Sequence, residues 1–269
     1  MISSKIWLWI NLYLGIAMQL LVTFLFSTGW MISCWLLYLL VKRAMIVDLA
    51  WTFCVFFISL IYFLLGERSL SLSIVFIASI IWTIKLLTLL SIRLFKHRSD
   101  GRYTRLDELW KDSLKRNYFV FFVFQSLGAW IFMLPFYFIS RFSNWGIINY
   151  FATFLTILGL IGNILADYQL QIFLLHRKDS SKICEKGLWY YSRHPNYFFE
   201  FIYWLGISLF AISLPYGFIA LISPFSLLLT LLFFTGIPAA EKQALLTKGE
   251  SYKMYQQKVS SFVPWIRKK

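Results

Sequence analysis

The sequence is poor in the residues that soluble enzymes rely on. Of 269 residues, 12 are acidic, three are His and three are Cys. His97, His176 and His194 stand nowhere three or four apart, so no metal site of the helical kind is expected. Cys34 and Cys54 lie inside apolar runs and Cys184 lies in a basic loop. Such an odd, scattered set gives no disulfide framework. The 13 Gly and 6 Pro form no linker, so a single domain, 1–269, is expected. There is no P-loop, no Gly-x-Ser-x-Gly and no Gly-x-Gly-x-x-Gly after a strand. Strand-like alternation is missing too, which excludes a Rossmann nucleotide domain.

What fills the chain is apolar sequence. It is 59% hydrophobic and 20% aromatic, with a mean hydropathy of +0.69. About 20 apolar residues cross a bilayer. The expected fold is therefore all-α, a polytopic integral membrane bundle of seven to eight transmembrane helices. Spans are expected at 6–26, 30–41, 44–65, 70–95, 118–140, 147–173, 196–214 and about 217–237. Ser27-Thr28-Gly29 reads as a turn between the first two. The second is short and has to run on toward Val47 or tilt. Lys5 alone precedes the first run and no small-residue cleavage site follows it, so the start reads as a membrane helix rather than a removed signal.

A net charge of +14 invites a nucleic-acid reading, but the distribution opposes it. Seven Lys/Arg lie in 96–117, five in 174–195 and seven in the tail from Pro238. An alternating path puts all three stretches on one side, with Lys5, Lys42 and Arg43. The opposite turns hold only Arg68 and Arg141. By the positive-inside rule the rich side, with the C-terminus, is cytoplasmic. The Ile/Phe/Lys-rich composition points to a bacterial inner membrane. Membrane lipids are expected partners and nucleic acid is not.

Ionisable groups inside spans are costly and mark function. Asp48, Lys85, Asp167 and Glu200 are the candidates. Asp48 also suits an interfacial cap or a partner for Arg43. The densest polar stretch is Gly187-Leu188-Trp189-Tyr190-Tyr191-Ser192-Arg193-His194-Pro195-Asn196-Tyr197-Phe198-Phe199-Glu200. Pro195 suits the first turn of a helix, where its missing N–H costs nothing. Arg193 and His194 then fall at the membrane surface. Asn196 and Glu200 fall one turn apart on one face. The positive helix end would face an anionic group.

This run resembles the signature of the DUF1295 proteins, in the steroid 5-alpha-reductase C-terminal superfamily. So do Ala166-Asp167-Tyr168-Gln169-Leu170, Asp100-x-Arg102-Tyr103, and the stretch from Gln125 to Pro135. Gly236-Ile237-Pro238-Ala239-Ala240-Glu241-Lys242 and the closing Ser251-Tyr252 through Phe262-Val263-Pro264-Trp265 extend it. The resemblance covers about 45–269. It implies an all-helical membrane enzyme that binds NADPH in a cavity open to the cytoplasm. Such an enzyme reduces a carbon–carbon double bond, usually an enone, in a sterol-like or other lipid substrate. Carried over, Asp167, Lys182, Tyr191, Asn196 and Glu200 match cofactor-pocket positions, and Arg102 and Tyr103 match the second loop. Arg193, His194 and Tyr197 complete the expected cofactor contacts. Tyr191 and Lys85 are the candidates for delivering the second proton. Two positions depart from the pattern: Phe199 stands where the family has Gly, and Ser99 where it has Glu.

Two other readings stay open. Arg-His-Pro-x-Tyr and a later Glu also resemble the isoprenylcysteine and phospholipid methyltransferases, which bind S-adenosylmethionine. A non-catalytic lipid-binding relative is the other, and Phe199 is its main support.

Overall fold

The computed structural model describes residues 2–96, 101–142, 144–179 and 181–268. Among these there are helices and turns and no strand. The chain forms two compact units, Met1–Arg141 and Phe142–Lys269. Among the described residues six helical stretches are long and apolar enough to cross a membrane: Ala17–Val41, Ile46–Leu65, Leu70–Phe95, Lys111–Arg141, Ile147–His176 and Gly217–Lys248. The chain is a multi-pass helical membrane protein.

In the first unit, α1 (Ile2–Val41), α2 (Ile46–Leu65) and α3 (Leu70–Lys96) precede the short α4 (Gly101–Leu109). Then come α5 (Leu114–Phe132) and α6 (Leu134–Arg141). The expected turn at 27–29 is absent, and α1 runs straight through it. A break there would strand backbone groups in hydrocarbon. The hydroxyls of Thr23 and Ser27 instead bond back to the carbonyls of Gln19 (2.9 Å) and Phe24 (2.8 Å). Lys5 and Lys42 consequently fall at opposite ends of one helix rather than on one side. The helix stops at Lys42, whose φ of 55° is left-handed and whose N–H still reaches the Tyr38 carbonyl at 2.7 Å. Pro135 lacks an N–H, and it sits in the first turn of α6, where the α5 helix has just ended.

Apolar surface gives no net drive to pack helices in lipid, so hydrogen bonds and close fit matter more. The Thr23 hydroxyl meets the Tyr62 phenol at 3.0 Å. Trp30 donates to the Ala50 carbonyl at 2.9 Å, and Trp130 to that of Leu20 at 3.0 Å.

The second unit contains α7 (Ile147–His176), α8 (Pro195–Leu209), α9 (Ile222–Leu229), α10 (Ile237–Lys248) and α11 (Glu250–Lys258). At 15 residues α8 is shorter than the expected 196–214 and falls short of a full span. Residues 210–214 tighten into three-residue turns. Small residues bring α7 and α8 together. A Cβ on Gly159 would lie 2.3 Å from the Tyr203 nitrogen, and one on Gly206 2.5 Å from that of Thr156.

Candidate functional site

The polar run is folded against α7 by its own sequence. Gly187 has a φ of +62°, which favours glycine, and an added Cβ would lie 2.5 Å from the Gln169 amide. That amide oxygen accepts the Leu188 N–H at 2.9 Å. One turn earlier on α7, the Ala166 carbonyl accepts the Trp189 indole N–H at 2.9 Å. The two motifs that stood apart in sequence thus form one structure.

Pro195 opens α8, as its fixed φ requires. Asn196 follows and faces α7. Its amide N–H donates to Asp167 Oδ1 at 3.0 Å, and its Oδ1 accepts the Tyr197 backbone N–H at 3.0 Å. Asn163, one turn before Asp167, donates to the Asn196 carbonyl at 2.7 Å. Asp167 is buried, so this amide meets the cost of placing a carboxylate in a membrane helix. Glu200 lies one turn beyond Asn196 and accepts the Trp204 indole N–H at 3.1 Å.

Phe199 points into the same two-helix seam. Its ring lies over Gly162, where an added Cβ would approach it to 2.3 Å. Gly162 supplies the space that the bulky residue occupies.

Arg193 and His194 are committed to the chain itself. Arg193 Nε donates to Glu241 Oε1 at 2.6 Å, and its Nη1 donates to the carbonyls of Gln256 (2.8 Å) and Val259 (2.6 Å). His194 Nε2 lies 3.3 Å from Glu241 Oε1, while Gln256 donates to Oε2 at 2.9 Å. Tyr197 stacks on the His194 ring, with centroids 5.4 Å apart and planes at 7°. The tail closes over this cluster. The Arg193 N–H bonds the Ser260 carbonyl at 2.9 Å, the Ser192 hydroxyl that of Phe262 at 2.8 Å, and the Trp265 N–H the Tyr191 carbonyl at 2.9 Å. Burial pushes the Tyr252 phenol up to about 12, so it stays protonated beside the pair.

The other candidates lie elsewhere. Tyr191 is 48% exposed. Lys182 is exposed and lines a cleft that Asp167, Asn196 and Glu200 do not line. Lys85 and Tyr103 belong to the first unit. There the Tyr103 phenol donates to Asp48 Oδ1 at 2.7 Å, so Asp48 anchors this tyrosine. The Arg102 side chain, His97, Ser99 and Asp100 lie outside the described residues. Among the described residues no His, Cys, Asp and Glu cluster could hold a metal.

Glu241 is the residue that sequence reasoning missed. Its signal was present in the 236–242 motif, but nothing there named its partners. Asn163 and Trp204 were missed too, although each stands four residues from a candidate on the same helix face.

The family model described as a protein of unknown function (DUF1295) matches residues 34–259. The chain belongs to the DUF1295 family. The match begins earlier than the resemblance did and ends before the closing Phe262–Trp265 stretch. No curated protein and no solved structure matches the chain.

Proposed function

We propose that this DUF1295 protein is a membrane reductase that uses NADPH to reduce a carbon–carbon double bond in a hydrophobic, sterol-like or other lipid substrate. The Asp167–Asn196 pair, with Glu200 one turn on, carries this reading. Two apolar helices need no such group in order to pack, and its desolvation is costly. The donor set suits the nicotinamide end of the cofactor. Asn196 spends one N–H and one lone pair on the protein and keeps one of each. A carboxamide needs one acceptor and one donor, and Asn196 with Glu200 would hold it. NADPH, when bound, supplies the hydride.

The rest of the chemistry falls to this chain. Asp167 orients the Asn196 amide. The Arg193–Glu241 pair fixes the loop from which α8 starts. Phe199 against Gly162 keeps water out of the α7–α8 seam. Tyr191, an exposed residue, remains the candidate for the second proton, and Lys85 of the first unit is the other candidate that the sequence offers. The positive-inside pattern orients the basic loops and the tail to the cytoplasm, and the composition fits a bacterial plasma membrane.

The test is thermal unfolding of the detergent-solubilised protein with NADPH, NADH or S-adenosylmethionine. At one hundred times its Kd, a ligand adds about 2.7 kcal/mol of stability. NADPH should raise the midpoint of the wild type and not that of Asn196→Ala or Glu200→Ala. A response to S-adenosylmethionine alone would make the chain a methyltransferase. A well-folded sample that answers none of the three would be a non-catalytic relative.

A further inference from the structure

The site built from Asp167, Asn196 and Glu200 makes no use of a cleft of about 450 Å³ in the second unit, although the family resemblance matches its Lys182 to a cofactor position. It is lined by Lys182, Lys258, Arg267 and Glu185, and by the apolar Phe173 and Met254. Arg267 is already neutralised, because its Nη2 lies 2.6 Å from Glu185 Oε2. Its guanidinium also sits over the Tyr190 ring, 5.2 Å from the centroid. The charges of Lys258 and of Lys182, which has the Asp179 carboxylate near it, remain on two exposed side chains. The cleft therefore carries a net positive charge over an apolar floor.

Its depth follows from α7. Thirty residues of helix span about 45 Å. The hydrocarbon layer is about 30 Å thick, or about 40–45 Å with the headgroups. The last turn of α7 thus reaches the headgroup layer, and Phe173 belongs to that turn. Trp265 and Ile266, next to Arg267, are 69% and 80% exposed. Such apolar side chains interleaved with cations suit a membrane interface and not bulk water. A soluble anion would satisfy the two lysines and leave the apolar groups facing water. A phospholipid answers both, since it brings a phosphate and an acyl chain to this depth.

We propose that this cleft binds the headgroup phosphate of an anionic phospholipid through Lys182 and Lys258, with the start of an acyl chain on Phe173 and Met254. The experiment takes the full-length, delipidated protein and follows thermal unfolding with phosphatidylglycerol, phosphatidylcholine or inorganic phosphate. Phosphatidylglycerol should raise the midpoint, and the other two should not. Lys182→Gln/Lys258→Gln should bind phosphatidylglycerol about thirtyfold more weakly, as expected for two lysines facing an anionic lipid surface. Both side chains are exposed, so the lipid-free midpoint of this variant should match the wild type. Lys178→Gln/Lys253→Gln, which removes two lysines outside the cleft, should keep the response. An equal response to phosphatidylcholine, or an equal loss in the second variant, would sink the proposal. So would a full response to inorganic phosphate, which would make the site one for soluble anions. Loss of an NADPH response in Lys182→Gln/Lys258→Gln would give the lysines to the cofactor instead. The lipid result stands by itself if NADPH never binds the wild type.

Discussion

Without the Glu241 carboxylate, the Arg193 guanidinium, whose side chain is 10% exposed, would face two carbonyls and no counter-charge. Removing one partner of a buried pair costs about 3–5 kcal/mol. Glu241→Gln should sit near the lower end, since it keeps an acceptor for Arg193. Denaturant unfolding would measure it, and Arg193→Gln/Glu241→Gln should lose clearly less than the two single losses added. Additive losses would mean that the pair is not coupled. These residues also mark what the sequence made legible. Arg193, His194, Asn196 and Glu200 stood out because polar groups in apolar sequence need a reason. Their partners did not stand out, because Glu241 is 48 residues from Arg193 and Tyr103 is 55 from Asp48. Local periodicity carries no information at that distance. The run was therefore found, while the chain partners of Arg193 and His194 were not.

The seam between α7 and α8 sets the rules for helices here. Gly162→Ala would drive a methyl group into the Phe199 ring and should cost about 1–3 kcal/mol, as overpacking does. Phe199→Ala should cost about 3 kcal/mol by leaving a cavity. The double variant should recover part of both losses, read as thermal midpoints. Full additivity would show that the ring and the glycine do not share one space. Long apolar runs made most helices legible, since a single segment satisfies its own backbone in lipid only as a helix. The same physics defeated the reading at Ser27-Thr28-Gly29. Small polar residues end helices where water can take over the backbone groups, and here the hydroxyls bond back into α1.

Across the whole chain, the direction of crossing is the property most open to test. The hydrogen bonds from Arg193, Ser192 and Trp265 put the 187–194 loop and the tail on one side. With the Lys/Arg excess that side is expected to be cytoplasmic. A green fluorescent reporter fused after the tail should fluoresce, and alkaline phosphatase at the same point should stay inactive. The opposite pattern would turn the protein over. The tail's grip on the loop also imposes an order of assembly. Chains are made from the N-terminal end, and α7 and α8 are complete before Glu241 and Ser260 exist. Until those residues arrive, the loop has α7 to lean on but no counter-charge for Arg193 and no strap across Ser192. The region richest in chemistry is thus finished late, and anything that delays the tail leaves an inserted helical hairpin with its polar end unassembled.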